Sequence, residues 1–323
     1  MIKLIPIASE SLGVRSMCCV LETPDISILF DAGASLGLRY GLAPHPLEYL
    51  ALTEVRRRIR DFAKHVEIVA ISHYHFDHFT PPFLSDNIWT FASKEEAAAI
   101  YTDKRILTKD IREDINPSQR KRGWIFQNFI GPLAKSIEEA DGRIFKFGRT
   151  VLKFSPPMSH GEAMSELGYV LVATIMHGGE SITIAPDVQG PTSEGALRYI
   201  ERCKSNTVFL GGPPTYLAET RVQGNVLAES IRNMIKLASV TPKMLIDHHL
   251  LRDIDWRQKV SEVFSAAKEN SNSVITAAEY LGLKDNLLEA SRKMLYEREP
   301  PSDEFLAWTR IPIEKRRRIP PPL

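Results

Sequence analysis

Hydrophobic residues at the start of the chain occur in short runs that glycine, proline or aspartate interrupts. Three of these runs have the length and the β-rich composition of strands joined by turns: residues 2–8, 16–22 and 26–31. Residues 46–65 instead carry apolar side chains every three or four positions with charged residues between them, which predicts an amphipathic helix. A compact apolar run at residues 66–72 predicts another strand, which ends where His73 begins a polar segment.

Strands and helices alternate through the middle of the chain. Further strands are predicted at residues 87–92, 150–155, 168–176, 181–186, 206–210 and 243–247. Helical periodicity predicts helices at residues 93–100, 194–203 and 225–237, and within residues 119–139. So many strands are best buried when two sheets pack together with helices on the outside, so we predict an α/β protein of that architecture.

The pattern changes near residue 255, after which only helical periodicity remains. Helices are predicted at residues 256–269, 274–281 and 285–297. Residues 314–323 combine Lys315 and three arginines with three prolines, which is typical of a flexible or surface segment. We therefore predict a main domain at residues 1–254 and, packed on or beside it, a helical extension with a basic, proline-rich tail at residues 255–323.

Composition narrows the class of protein. The 323 residues include 41 Lys and Arg against 40 Asp and Glu, and this balance argues against a general attraction to nucleic acid or acidic membranes. Of the three cysteines, Cys18 and Cys19 are adjacent and Cys203 stands alone, which favours a reducing compartment. The longest strongly apolar run, residues 169–176, is too short to span a membrane. We expect a cytoplasmic protein without a membrane partner.

The strongest chemical signal is the segment His-Tyr-His-Phe-Asp-His at residues 73–78. The apolar strand before it ends at the edge of a sheet, and alternate residues of an extended segment share a face. His73 and His75 can therefore meet one metal ion, while the following turn directs Asp77 and His78 towards a second. Imidazole nitrogens and carboxylate oxygens are ligands of Zn²⁺ and similar divalent ions.

Other polar residues follow predicted strands in the same way. They are Asp31, His160, Asp187, His248 and His249. An isolated charge at the end of a buried strand is costly without a partner, so these residues together indicate a convergent site.

These residues, in this order, resemble the metallo-β-lactamase superfamily over about residues 1–250. The resemblance implies an αββα sandwich of two mixed sheets flanked by helices, here with a C-terminal helical extension. Four further segments resemble an uncharacterised archaeal branch of that superfamily and bring no known substrate: residues 187–191, 211–217, 247–253 and 277–281.

The resemblance also implies a role for each residue. One metal ion would be held by His73, His75 and His160. The second would be held by Asp77, His78 and a histidine of the 248–249 pair, with Asp187 bridging both ions. Asp31 would accept a ring N–H of a ligand and fix its orientation. Zinc is the favoured metal, with manganese and iron as alternatives.

The adjacent histidines are ambiguous from sequence. Strand alternation places His248 on the side of Met244 and His249 on the side of Leu245. We favour His248 as the ligand, supported by Asp247 beside it, which leaves His249 as a candidate proton donor. The opposite assignment stays open.

The mechanism implied by these ligands is hydrolysis. Two cations roughly 3.5–4 Å apart would hold a bridging hydroxide as the nucleophile, so no Ser or Cys nucleophile is needed. Asp187, Asp77 and His249 are the candidate catalytic residues.

Three segments and one arginine are candidates for choosing the substrate. The segments are residues 36–46 with Arg39, residues 116–129 with several basic and aromatic side chains, and residues 211–217 with Tyr216. The alternative for residues 116–129 is a charged helix with a buried apolar side. Arg252, four residues after His248, is the candidate phosphate anchor. We expect a small anionic substrate, with a phosphoester slightly ahead of a lactone or other carboxyl derivative.

Two other functions are compatible with parts of the sequence. Residues 273–296 have the spacing of a helix-turn-helix, which would make the protein a nucleic-acid-binding regulator, although a long basic recognition face is missing. A di-iron redox protein of the same fold is the second alternative. The chain does not specify its oligomeric state, and a homo-oligomer is compatible with it.

Overall fold

The structure is a computed structural model that describes residues 1–84, 89–162, 166–218, 222–316 and 318–323. Its first sheet contains six strands in chain order: β1 (Lys3–Ser9), β2 (Met17–Glu22), β3 (Ser27–Phe30), β4 (Ile68–Ile71), β5 (Arg105–Thr108) and β6 (Ser136–Glu139). The first three strands pair antiparallel, and β3 to β6 pair parallel. Three helices follow β3, β4 and β5 and make these parallel connections: α1 (Pro46–Ala63), α2 (Lys94–Tyr101) and α3 (Pro117–Ile130).

The second sheet contains seven strands and is also mixed. Its strands are β7 (Ile144–Phe147), β8 (Thr150–Phe154), β11 (Ala173–His177), β12 (Glu180–Ala185), β13 (Thr207–Gly211), β14 (Lys243–Asp247) and β15 (Ser273–Ile275). A separate pair, β9 (Met158–Ser159) and β10 (Tyr169–Val170), lies between β8 and β11 in the chain. The spatial order is β15-β14-β13-β12-β11-β8-β7, with β12 to β15 parallel. The connecting helices are α4 (Glu194–Cys203), α5 (Gly224–Val240), α6 (Trp256–Lys259) and α7 (Ser261–Glu269).

The buried side chains show four layers. Ile68 and Ala70 of β4 face the second sheet and share a core with Phe209 of β13. Val69, their neighbour in β4, faces the opposite way and packs with α1, α2 and α3. A third core joins the outer side of the second sheet to α4, α5 and α7. The predicted αββα sandwich with two mixed sheets flanked by helices is therefore confirmed.

Several predicted elements need correction. Residues 89–92 do not form the predicted strand beyond a single bridge between Trp89 and Leu36, while residues 87–88 lie outside the described residues. The predicted strand at residues 168–176 is divided between β10 and β11. Three short strands, β5, β6 and β7, were not predicted, because four-residue runs give too little periodicity to separate them from loops.

The region after residue 255 is not purely helical. Ser273–Ile275 is a strand that pairs with β14, since its β-branched Val274 and Ile275 favour extended backbone. The helices that follow are short: α8 (Ala277–Tyr280), α9 (Arg292–Arg298), α10 (Asp303–Thr309) and α11 (Ile313–Arg316). A strand, one helical turn and a long irregular connection therefore occupy residues 273–291, so the predicted helix-turn-helix is wrong.

Helix α10, near the end of the chain, packs into the core beside α1. Phe305 and Trp308 of α10 belong to the core under α1, where both rings contact Tyr49. The Arg316 guanidinium lies 5.3 Å from the centre of the Trp308 ring, and Trp308 Nε1 donates to the Ile319 carbonyl at 3.0 Å. Residues 314–323 lie largely on the surface, as predicted: Ile319 and Leu323 are 43% and 57% exposed, and of the described residues in this range Arg316 is the buried one. Arg317 lies outside the described residues.

The division into two parts at residue 254 stays a prediction.

No helix within the described part of the chain has the length and apolar character needed to cross a membrane.

Candidate metal centre

Strands of both sheets end at one place, and polar residues follow four of them. Asp31 follows β3, His73 comes just after β4, Asp187 comes just after β12, and His248 follows β14. Asp31, Asp187 and His248 have φ angles of 49°, 43° and 65°, in the left-handed region that residues other than glycine rarely adopt. Surrounding structure must enforce such conformations, which cluster at functional sites.

Asp31 orients two histidine rings. Its Oδ2 atom accepts a hydrogen bond from His78 Nδ1 at 2.8 Å and another from Ser72 Oγ at 2.7 Å. Because the Ser72 hydroxyl proton is directed at Asp31, its oxygen accepts the Nδ1 proton of His73 at 2.9 Å. A Cβ at Gly33 would clash with the backbone nitrogen of Phe79, so only glycine lets the Asp31 loop come this close to the His78 turn. This is the position that the resemblance implies for Asp31.

Asp187 is buried among the histidines, at 1% exposure. Its Oδ2 atom lies 2.9 Å from His160 Nε2, 3.2 Å from His73 Nε2 and 3.3 Å from His78 Nε2. His75 Nδ1 lies 3.7 Å from the same oxygen. Residues from three separate stretches of the chain therefore meet at one carboxylate oxygen.

The other oxygen of Asp187 faces a second group. Oδ1 lies 2.7 Å from His248 Nε2 and 3.2 Å from His249 Nε2. His248 Nε2 also lies 3.8 Å from Asp77 Oδ2 and 3.3 Å from His78 Nε2. The carboxylate therefore lies between two sets of possible ligand atoms.

The two sets have the composition predicted from the sequence. In the first, atoms of His73, His75, His160 and Asp187 all lie within 4.8 Å of one another. In the second, atoms of Asp77, His78 and His248 do so. The structure thus brings together all seven residues predicted as ligands, and it adds a third grouping in which His249 joins Asp187 and His248.

Divalent metal ions fit this set of donors. Carboxylates accept the Nδ1 protons of His78 and His248, so in the neutral rings the Nε2 lone pairs face each other at 3.3 Å. Two such lone pairs repel unless a cation or a proton lies between them. His73 Nε2 and Asp187 Oδ1 are buried, and although they lie 3.2 Å from Asp187 Oδ2 and 2.7 Å from His248 Nε2, neither forms a hydrogen bond of normal geometry among the described residues. A ligated ion would supply the missing partner.

The pKa values divide the histidines in two groups. Burial lowers the pKa of His73 well below its usual value and that of His75 to about 4, so both rings are neutral at neutral pH. Burial also opposes the charged form of His248, but Asp187 and Glu10 outweigh it and raise its pKa to about 9. The pKa of His78 is likewise raised, by Asp187 and Asp31. In the metal-free protein, protons on His78 and His248 therefore supply the positive charge that balances the buried carboxylates around them.

Glu10 also belongs to the site, and it is not among the residues predicted from the sequence. It is 4% exposed in a 3₁₀ turn, Glu10–Leu12, and its Oε2 accepts from His248 Nδ1 at 3.0 Å. Burial would raise its pKa, yet His248 and Arg252 hold the pKa below the usual value. The available signal was an acid directly after a buried strand, as for Asp31, but 238 residues separate it from its partner.

Asp247 does not touch a ligand ring. It accepts from Ser11 N and Oγ, His248 N and Ala277 N, at 2.5–3.2 Å, and so fixes the backbone turn after β14. The predicted support of His248 by Asp247 therefore acts through the backbone, while Glu10 holds the ring.

Arg252 is not free to bind a phosphate. It is 3% exposed, and its Nε and Nη2 lie 2.7 and 2.6 Å from Glu10 Oε1. Nη2 is also 3.4 Å from Asp77 Oδ2, and Nη1 is 3.0 Å from His249 Nδ1. The prediction of Arg252 as a substrate anchor is corrected, because its guanidinium is committed to three side chains of the site.

Arg39 and Tyr216 contact each other at 4.0 Å from guanidinium to ring centre. Their role in binding substrate stays a prediction.

Helix α3 supports the histidine segment: Gln119 Oε1 accepts from Tyr74 N, and Arg122 Nη1 donates to Tyr74 O. One face of residues 116–129 is therefore buried against the site, while Trp124 is 59% exposed.

Comparison with known proteins gives close relatives and distant structural neighbours. A UPF0282 protein of Pyrobaculum calidifontis is 42% identical over 296 residues, which cover 91% of this chain and 95% of the relative. UPF0282 protein MK0213 of Methanopyrus kandleri is 43% identical over 294 residues, covering 91% and 98%. No family model matches the chain.

The structural neighbours include members of the metallo-β-lactamase superfamily. Tm1679, a metal-dependent hydrolase of that superfamily, has a TM-score of 0.46 at 12% identity, covering 85% of this chain and 95% of its own. Zn²⁺-bound PqqB from Methylobacterium extorquens has a TM-score of 0.46 at 9% identity, covering 85% and 98%. At such values these likenesses say nothing about substrate.

Proposed function

The chain belongs to the UPF0282 family, and from the geometry of its buried centre we propose that it is a dinuclear metal-dependent hydrolase. One observation carries the proposal: the two oxygens of Asp187 face two different groups of buried ligand atoms. Six histidines have a ring nitrogen within 3.7 Å of one or the other of these two oxygens. Bridging two ions is the arrangement that uses both of its oxygens.

The residues divide into two binding sets. His73, His75 and His160 would hold one divalent ion, and Asp77, His78 and His248 the other, with Asp187 shared. When bound, such a pair supplies an ionised water near neutral pH and polarises the bond to be hydrolysed. The chain's own part is to hold the ligands: Asp31 and Ser72 orient His78 and His73, and Glu10 orients His248. Zinc is the favoured metal because nitrogen ligands predominate.

The opening of the centre supports a small anionic substrate. The side chains of His75, Asp77 and His249 are 20%, 15% and 16% exposed, whereas those of the other ligands are at most 2% exposed. Arg39 Nε has no hydrogen-bond partner among the described residues, so this N–H can donate to an anionic oxygen of a substrate. A phosphorylated or other anionic ester is the substrate class that we propose.

Hydrolysis assays on the metal-loaded protein test the proposal. The zinc- and manganese-loaded forms would be incubated with phosphomonoesters, phosphodiesters, lactones and thioesters. We expect turnover of at least one anionic ester that a chelator abolishes and added metal restores.

Asp187→Asn should remove this turnover, whereas Asp61→Asn, an exposed carboxylate on α1, should retain it. Turnover that persists in Asp187→Asn would contradict the proposal. So would a metal-loaded protein that holds no more than one metal ion per chain.

A further inference from the structure

The adjacent residues His248 and His249 point the same ring nitrogen towards the same oxygen. Both lie in the 3₁₀ turn His248–Arg252, and their ring centres are 4.5 Å apart. Both Nε2 atoms face Asp187 Oδ1, at 2.7 and 3.2 Å. The distances to Asp187 alone therefore do not show which of the two rings would bind a metal ion.

The contacts on the far side of the rings do separate them. His248 Nδ1 is 3.0 Å from Glu10 Oε2, and His249 Nδ1 is 3.0 Å from Arg252 Nη1. An ionised carboxylate only accepts hydrogen bonds, and a guanidinium only donates them. His248 Nδ1 must therefore carry a proton, and His249 Nδ1 must present a lone pair.

In a neutral imidazole the second nitrogen has the opposite state to the first. His248 Nε2 is then a lone pair, as a metal ligand requires, and metal-binding histidines commonly donate their other N–H to a carboxylate. His249 Nε2 carries the proton and cannot ligate. To serve as a ligand, His249 would have to place an Nδ1 proton against an N–H of Arg252.

We propose that the Glu10–Arg252 ion pair gives the two neighbouring histidines opposite tautomers, so that His248 binds metal and His249 donates a hydrogen bond. The role of His249 rests on the proposed function: its donor faces Asp187 Oδ1, the oxygen that would hold the second ion, and its side chain is 16% exposed whereas that of His248 is buried, so an anionic oxygen bound beside that ion could accept from it. A neutral ring that loses Nε2–H would become an imidazolate, so His249 stabilises charge and transfers no proton. This replaces its predicted role as proton donor.

The placement of the pair supports a positioning role. Glu10 and Arg252 are each 4% exposed, and buried ion pairs contribute little net stability because desolvation offsets their attraction. The same guanidinium also reaches Asp77, at 3.4 Å. Three side chains of the centre are therefore held by one ion pair that connects residues 10 and 252.

The tautomers can be read directly by long-range ¹H–¹⁵N correlation on zinc-loaded, ¹⁵N-histidine-labelled protein. We expect His248 to show an Nδ1 proton with Nε2 bound to metal, and His249 to show an Nε2 proton with an unprotonated Nδ1. The His249 signals are identified by their loss in His249→Gln. An Nδ1 proton on His249 in the unaltered protein would overturn the inference, and this result requires no other variant to fold.

Variants extend the test. Arg252→Met should leave His249 as a mixture of tautomers, whereas Arg257→Met, which alters an exposed arginine, should leave the spectrum unchanged. Glu10→Gln should weaken zinc binding at the second ion by about 10–100-fold. An unchanged His249 tautomer in folded Arg252→Met would contradict the proposal.

Activity measurements separate this inference from the proposed function. His249→Ala should keep both zinc ions and lower kcat by about 100-fold with little change in KM, and His249→Gln, which retains an N–H, should recover part of the loss. The predicted tautomers in a protein that hydrolyses no ester would keep the ion-pair assignment and remove the proposed function. Ester hydrolysis by a protein whose His249 carries an Nδ1 proton would keep the proposed function and remove the ion-pair assignment.

Discussion

Replacing Asp31 with asparagine should weaken both metal sites at once, although Asp31 is not predicted to bind either ion. Its Oδ1 accepts from Ser72 N at 2.7 Å, and its Oδ2 accepts from Ser72 Oγ and from His78 Nδ1. The backbone N–H of Ser72 cannot reverse, so the amide oxygen of asparagine must take the Oδ1 position. The amide nitrogen then occupies the Oδ2 position and donates where Asp31 accepts.

This exchange of donor and acceptor changes which nitrogen carries the proton in both histidines that Asp31 orients. His78 Nδ1 must accept, which puts its proton on Nε2. Ser72 Oγ must also accept, so its proton turns towards His73 Nδ1 and the proton of His73 moves to Nε2. One ligand in each binding set thereby loses its lone pair.

The expected size follows from similar outer contacts, whose loss costs about 10–100-fold in metal affinity. At about 1.4 kcal/mol for each factor of ten, that is about 1.4–2.8 kcal/mol for each ion. Zinc affinity would be measured by competition with a chromophoric chelator.

Asp25→Asn is the matched control, because Asp25 also contacts a histidine, His177, at 3.2 Å and accepts from Thr150 Oγ1 at 2.8 Å, but away from the centre. Dissociation constants of both ions within about twofold of the unaltered protein, well inside that expected range, would refute the reasoning.

Three further predictions can be checked with simple measurements. His75→Ala should lose about one of two bound ions and Asp187→Ala should lose both, as elemental analysis would show, while His65→Ala, an exposed control, should lose none. Because the metal-free pKa of His248 is raised to about 9, a metal ion must displace its proton, so zinc affinity should fall by about tenfold or more per pH unit as the pH decreases from 9 to 7. Affinity that is flat over this range would be inconsistent with that pKa. Trp308→Ala should destabilise the protein by about 3–5 kcal/mol and lower Tm, since its ring belongs to the main core; an unchanged Tm would show that the end of the chain is not packed there.

The layered fold and the composition of the centre were accessible from sequence because they depend on local signals. Buried strands such as β4 and β14 are short apolar runs, and a polar residue directly after such a run is visible without any structure. The strand ends of a sandwich meet at one edge, so residues as far apart as Asp31 and His248 could be placed together by topology alone.

Other features depend on contacts between distant parts of the chain. Glu10 and Arg252 look like surface charges until the turn after β1 and the turn after β14 are brought together. Phe305 and Trp308 have no long helical pattern around them, so their burial against Tyr49 could not be foreseen. Val274 and Ile275 fit either a helix or a strand by periodicity, and pairing with β14 decides between them.

Asp187 is proposed to hold two ions, one at each oxygen. Anomalous diffraction from crystals of the zinc-loaded protein would locate both ions. We predict two peaks, each about 2.0–2.2 Å from a different oxygen of Asp187, one beside His160 and the other beside His248. A single peak, or peaks that Asp187 does not contact, would contradict the account.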